Sequence, residues 1–192
     1  DTLVVYDDVG LYASPRAWWM FRAMGHENVF ALDGGLPAWL AEAYPMTDSL
    51  TEAPGPGNFN ATEQEGLFCD FEVVLAAIDD EQRAIIDARS ADRFAGTAPE
   101  PRPGIRGGHM PSARNLPFSE VLEAGRLRQP EDLRKLFLDK AHQEQQVITS
   151  CGSGITACVL TLAAWELGYR NLSVYDGSWA EWGVPSHLPV VS

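Results

Sequence analysis

The sequence predicts an α/β fold built on a mostly parallel sheet. Short apolar runs at 3–6, 84–87, 146–150 and 172–175 read as buried strands. Stretches with helical signals lie between them, so strands and helices alternate along the chain. Turn residues such as Asp33-Gly34-Gly35 and Asp176-Gly177 punctuate that alternation. With 192 residues, 45% of them hydrophobic, the chain is long enough for one generous domain and apolar enough to fill its core.

Taken in order, 3–6 is the first strand. Ser14 is placed to cap a helix with Pro15 at its first position; the helix carries Trp18, Trp19, Phe21 and Met24 before Gly25 ends it. Residues 28–32 form the next strand, 33–35 a turn and 36–43 a short helix. From 45 to 66, Pro45, Pro54, Pro56, Gly55, Gly57 and Gly66 stand among polar residues, the composition of an extended linker. Asp70 caps an amphipathic helix over 70–78, and 84–87 is a buried strand. Residues 95–110, rich in Gly, Pro and Arg, read as a long loop, and 112–115 as a strand. Helices are expected over 118–124 and 130–141. A strand over 146–150 ends at Cys151, followed by a tight loop over 152–154 and a helix over 155–167. The strand at 172–175 leads through a turn to a short helix over 178–182.

Composition excludes several function classes. Lys and Arg number 14 against 27 Asp and Glu, a net charge of −13, so phosphate backbones are repelled and no nucleic-acid partner is expected. No apolar run approaches the roughly 18 residues that cross a bilayer. The sequence opens at Asp1 without a basic segment leading into an apolar one, so neither a signal peptide nor a membrane partner is expected. The cysteines are three, Cys69, Cys151 and Cys158, with no C-x-x-C pair. A disulfide framework and a zinc site are therefore not expected, and a reducing, cytoplasmic compartment is.

The chain also repeats itself. Residues 24–39 (MGHENVFALDGGLPAW) match 167–182 (LGYRNLSVYDGSWAEW), with Gly25, Asn28, Asp33, Gly34 and Trp39 falling on Gly168, Asn171, Asp176, Gly177 and Trp182. Carried backwards without a gap, the same offset puts Val5 on Ile148 and Asp8 on Cys151. The first copy thus ends like the second, with an acid where the second has a thiol. It has almost nothing ahead of its first strand, which implies that it lacks a front half.

Cys151 is the focus of the chemistry. In Ser150-Cys151-Gly152-Ser153-Gly154-Ile155-Thr156 it lies between an apolar strand and a helix. Two glycines let the backbone curl, so that the amides that follow turn inward. A helix N-terminus adds partial positive charge. Both favour a thiolate and an anion bonded to it, the setting of a nucleophilic cysteine. Cys158, two helical turns on, reads as a core residue, and Cys69 carries no role.

The stretch 151–157, CGSGITA, closely resembles the active-site loop of the mercaptopyruvate sulfurtransferases of the rhodanese superfamily. The resemblance extends over nearly the whole chain. Residues 10–40, GLYASPRAWWMFRAMGHENVFALDGGLPAWL, resemble the second half of the family's non-catalytic first domain. DARSADRFAGTAPEPRPGIRGGHMPSARNLPF resembles the opening of its catalytic second domain, and YDGSWAEW that domain's end. The implied fold is rhodanese-like, each complete domain a five-stranded parallel sheet with helices on both faces. Here it would comprise the C-terminal half of a non-catalytic domain at 1–44, a linker at 45–69 and a complete catalytic domain at 70–192.

The resemblance further implies sulfur transfer through a persulfide on Cys151. Arg93 in DRFAGT and Arg102 in PEPRPG match two arginines that hold the substrate carboxylate, a task suited to a planar guanidinium. Ser153 matches a serine thought to move a proton, and also suits a helix N-cap. Gly152, Gly154, Ile155 and Thr156 supply the amide cradle. Arg89, beside Asp87, and His109 read as structural, and Tyr12 is a candidate to approach the site across the domain boundary. The implied donor is 3-mercaptopyruvate and the implied acceptor a thiol such as thioredoxin or a small thiol. Neither metal nor organic cofactor is implied. Thiosulfate is the rival donor, but the family's thiosulfate users place basic residues in the loop, where this chain has Gly152 and Ser153. A cysteine phosphatase would need an arginine where Ala157 stands. A non-catalytic binding module remains the third reading. In it the apolar faces of Trp18, Trp19 and Phe21 would need a partner, a retained N-terminal segment that stays associated, or a repacked arrangement.

Overall fold

The computed structural model describes residues 1–49 and 55–192; residues 50–54 of the expected linker lie outside the described residues. Five strands form a parallel sheet: β3 (Phe68–Cys69), β4 (Arg83–Asp87), β5 (Arg114–Asn115), β8 (Gln146–Ser150) and β9 (Leu172–Tyr175). Their order is β3-β9-β8-β4-β5, so β8, which leads to Cys151, is the central strand. Alternation along the strands divides the core between the two faces. Val147 and Ile86 join one apolar cluster, with Leu133 and Phe137 of α5 (Pro130–Phe137) and most of α6 (Ala157–Glu166). Ile148 and Ile85 join the other, with Val74 of α3 (Phe71–Ala77) and Trp179 and Trp182 of α7 (Ser178–Trp182). Helices thus cover both faces, as the α/β pattern requires.

The first 44 residues form a smaller unit. β1 (Leu3–Val5) pairs in parallel with β2 (Val29–Ala31), joined by α1 (Ser14–Ala23) and followed by α2 (Gly35–Ala41). α1 packs on α6. Its Trp18 and Trp19 are 3% and 0% exposed, and Trp18 meets Trp165 edge-on at 6.0 Å. Of the covers considered for these faces, packing within the chain is the one seen for the tryptophans: α1 docks on α6 and both are buried, while Phe21 stays exposed. Truncating either tryptophan to alanine should cost about 3–5 kcal/mol. Among the described residues β1 pairs with β2 alone, and Val4, Tyr6 and Phe30 remain exposed beside it.

Several local expectations are corrected. The helix expected over 118–124 is a short 3-10 turn, Phe118–Val121, followed by a hairpin of β6 (Leu122–Glu123) and β7 (Arg126–Leu127). Ala124 and Gly125 both take positive φ, 50° and 78°, which makes the two-residue turn that helical continuation would forbid. The hairpin seats on the first unit: Leu11 N–H donates to the Gly125 carbonyl at 2.9 Å and Leu127 N–H to Asp33 Oδ1 at 2.9 Å. Cys69, placed at the linker edge by the sequence, lies in β3 and pairs with Tyr175, so the expected linker ends at 67. A four-residue helix, α4 (Ala91–Phe94), precedes the long loop. Asp70 caps α3 as expected, accepting from the Glu72 and Val73 amides. Ser14 does not cap α1. It is the first helical residue, and its amide donates to Asp7 at 2.9 Å.

Candidate active site

Cys151 ends the central strand, at the carboxyl edge of the sheet where α/β folds place their chemistry. It is buried, and α7 pins the backbone on either side of it. Cys151 N–H donates to Ser178 Oγ at 3.2 Å, the Cys151 carbonyl accepts from Trp179 at 3.0 Å and the Gly152 carbonyl from Ala180 at 2.9 Å. With these carbonyls held against α7, the loop climbs from Gly152 to Thr156 and enters α6. Thr156 is the N-cap, correcting the placement of Ser153 there; neither hydroxyl caps the helix. Among the described residues, the amides from Gly152 to Ala157 donate to no protein group. Six unpaired donors at a helix N-terminus, beside a buried sulfur, make an anion-binding cradle.

Gly154 is where the loop requires glycine. Its φ is +79°, and a Cβ there would stand 2.9 Å from the Asp176 carbonyl and 3.1 Å from Arg16 Nη1. Ile155 projects into solvent. A cleft of about 200 Å³ opens beside the near limb of the loop. Arg93, Glu100, Arg102, Gly152, Ser153 and Trp179 line it. The structure thus brings Arg93, Arg102, Gly152 and Ser153 to one cleft. Cys151 itself is buried next to Gly152 and does not line the cleft, and Gly154, Ile155 and Thr156, the far limb of the loop, lie outside it as well.

Arg93 is held rather than free. Its guanidinium lies 3.1 Å from the position a Gly152 Cβ would take, and it pairs with Glu100, Nη2 to Oε2 at 2.5 Å. Glu100 also accepts from Arg89 at 2.9 Å, and Arg89, wholly buried, grips Asp87 at 2.6 Å and stacks on Trp179 at 4.0 Å. Burial pushes the Asp87 carboxyl above its ordinary range against the opposing pull of Arg89. Arg89 is structural, as the sequence suggested. Glu100, which links it to Arg93, was missed because it carries no local signal in a loop of Gly, Pro and Arg. Arg102 is exposed and has no ion pair among the described residues.

Cys158 behaves as a core thiol. Burial pushes its pKa up to about 12, and its Sγ donates to the Gly154 carbonyl at 3.3 Å. Burial likewise pushes Cys69 up to about 11. His109 stacks on Phe94 at 3.8 Å and bonds its carbonyl. Tyr12 packs edge-on against Phe118 at 5.7 Å and does not line the cleft. No group of three or more metal-ligating side chains occurs among the described residues.

The loop after β1 repeats this architecture with one correction. Leu3 pairs with Val29 as Val147 pairs with Leu172, so the strand register sets Asp7, four beyond Leu3, on Cys151, four beyond Val147. The Asp7 carbonyl accepts from Leu36 as the Cys151 carbonyl accepts from Trp179. Asp7, not Asp8, therefore stands at the place of the thiol. The gapless alignment missed this because the first loop is one residue longer before its helix.

Comparisons with known proteins agree with this architecture. The Rhodanese-like domain family matches residues 1–42 and 70–184. A 3-mercaptopyruvate sulfurtransferase from Mus musculus is 41% identical over 97% of this chain, and the chain spans 65% of that relative's length. A thiosulfate sulfurtransferase from Rattus norvegicus is 42% identical over 94% of this chain and 62% of its own. The crystal structure of SseA from Escherichia coli, described among the 3-mercaptopyruvate sulfotransferases, superposes with a TM-score of 0.80 at 37% identity, covering 93% of this chain and 67% of that one. In sequence, in strand order and in the loop that ends its central strand, this chain belongs to the rhodanese family.

Proposed function

We propose that the chain is a sulfurtransferase that takes sulfur from 3-mercaptopyruvate onto Cys151 and passes it to a thiol or to cyanide. The observation that carries this is the run of unpaired amides from Gly152 to Ala157 around a buried cysteine. In this reading Arg102 and Arg93 hold the donor's carboxylate in the cleft. The Cys151 thiolate attacks the donor sulfur, a new S–S bond forms, and the C–S bond breaks. The electron pair leaves on pyruvate as its enolate, which takes a proton through Ser153. The persulfide anion rests on the cradle amides, worth several kcal/mol as preorganised donors. A thiol acceptor such as thioredoxin or a small thiol then attacks the outer sulfur, and the Cys151 thiolate is regenerated.

Residues 1–44 fit the C-terminal half of a non-catalytic rhodanese domain, and 68–192, from the edge strand β3 onward, the catalytic domain. The neutral Gly152 and Ser153 favour mercaptopyruvate over the dianion thiosulfate. Three free cysteines, one of them the nucleophile, suit a reducing compartment such as the cytoplasm. No helix among the described residues is long and apolar enough to cross a membrane.

Intact mass after brief incubation with each donor tests the reading. We expect a gain of one sulfur from mercaptopyruvate, removed by thiol and absent in Cys151→Ser. A gain chiefly from thiosulfate would reassign the donor, and a gain retained in Cys151→Ser would overturn the mechanism.

A further inference from the structure

The first unit reaches into the cysteine loop through one side chain. Arg16, in the first turn of α1, passes over the Phe68 ring, 4.8 Å from its centroid, and pairs with Asp176 through Nη1 at 2.5 Å. The same nitrogen lies 3.4 Å from the Gly154 carbonyl. That carbonyl accepts a second donor, Cys158 Sγ, from below. Neither donor, nor Gly154 itself, lines the substrate cleft.

The geometry of a peptide bond gives this contact a consequence. All peptides among the described residues are trans, and in a trans peptide the C=O and the next N–H point in opposite directions. Holding the Gly154 carbonyl toward Arg16 and Cys158 turns the Ile155 N–H the other way. The first unit shows where an amide at that position points: its counterpart, Tyr12 N–H, donates to the Asp7 carboxylate at 2.9 Å. Asp7 stands at the place of Cys151. Gly154, at φ +79°, belongs to the residue type most free to let its flanking peptides rotate, so the carbonyl needs holding.

We propose that Arg16 is a positioning residue for the sulfur cradle: by fixing the Gly154 carbonyl it aims the Ile155 N–H at the sulfur carried on Cys151. The role rests on the sulfurtransferase reading above and deepens it. Arg16 does not touch donor or sulfur. It acts through one peptide plane, and Asp176 and the Phe68 ring keep it in place. The non-catalytic unit thereby supplies part of the active loop's shape.

The test is single-turnover persulfide formation from mercaptopyruvate, followed by intact mass at several donor concentrations. Arg16→Met should slow loading at saturating donor about tenfold. That is less than the roughly 10²–10³ of a deleted oxyanion donor, because the amide is misdirected rather than lost. The half-saturating concentration should stay within about twofold, since the carboxylate clamp is untouched. Arg16→Lys, which can still reach Asp176 and the carbonyl, should recover most of the rate; a merely structural role predicts no such recovery at equal thermal stability. Asp176→Asn, which loosens the anchor without emptying the site, should lose about threefold and reads the same role should Arg16→Met fail to fold. Parent-like loading in a folded Arg16→Met, or in Asp176→Asn where that variant carries the test, overturns the proposal. So does an effect confined to half-saturation. If the parent chain itself takes no sulfur from either donor, the functional reading falls and this role with it. Loss only in the variants leaves that reading intact.

Discussion

The loops after β1 and β8 have the same plan and opposite fillings. Both end a parallel strand, curl through amides and enter a helix that packs on the other unit's helix. In the first, the Asp7 carboxylate accepts from Tyr12, Ala13 and Ser14, each at 2.9 Å, and from Val9 at 3.2 Å. Burial works to raise the Asp7 pKa, but these donors outweigh it and the carboxyl lies below its ordinary value. In the second, the corresponding amides are unpaired and a cysteine side chain sits at the strand end. The same donors that stabilise a folded loop when a carboxylate is built in become available for a transferred anion when it is not. In the proposed function, activity follows from leaving a capping requirement unmet.

The largest test of that contrast is to fill the second loop as the first is filled. Cys151→Asp should remove sulfur loading entirely, with turnover down about 10⁴-fold or more as for loss of any covalent nucleophile. The fold should persist, read by circular dichroism and thermal melting. A Cys151→Asp protein that unfolds would break the equivalence of the two loops.

A smaller effect separates the clamp from the cradle. Arg102→Ala should raise the half-saturating mercaptopyruvate about tenfold with kcat within about twofold, the signature of lost uniform binding. A fall in kcat at unchanged half-saturation would move Arg102 from clamp to chemistry.

The smallest concerns the first loop. Asp7 is ionised more readily folded than unfolded, so its contribution is present above the ordinary carboxylate value of 3.8 and fades as pH falls through its lower folded value. Asp7→Asn should cost about 1 kcal/mol in urea denaturation at pH 7, since hydrogen bonds to a charged acceptor are worth more than those to a neutral one. The gap from the parent should narrow below about pH 3. A constant gap across that range would show that the carboxylate charge contributes nothing.

Much of this was legible where the signal is local. β8 and β9 show as apolar runs, Asp70 as a cap, and the Cys151 loop as a thiol between a strand and two glycines. The hairpin at 122–127 was not, because the mixed pattern of residues 118–124 suits a helix until Ala124 and Gly125 take positive φ. β3 is two residues long, and its partner strand lies far along the chain. In the site, Cys151, Arg93 and Arg102 could be named from the resemblance. Glu100 could not, since its role is defined by Arg89 and Arg93 meeting on it. Arg16 could not either: its partners Gly154 and Asp176 lie 138 and 160 positions away, and nothing near Arg16 in sequence marks them. The displaced equivalence of Asp7 was hidden by a single inserted residue, which only the strand register exposes.

The buried Glu100, shared by two arginines, bears on how a small carboxylic acid is captured. A long guanidinium side chain in solvent has many rotamers to give up when it closes on a ligand, at about 0.5–1.5 kcal/mol. Arg93 has already surrendered them to Glu100 during folding, and Arg89 and Asp87 hold Glu100 in turn. Arg102, exposed and unanchored, still has them to lose. Under the proposed mercaptopyruvate reading, the two arginines of the cleft would divide the work of recognition in time: Arg102 would sweep and meet an incoming anion, and Arg93 would receive it at a fixed address.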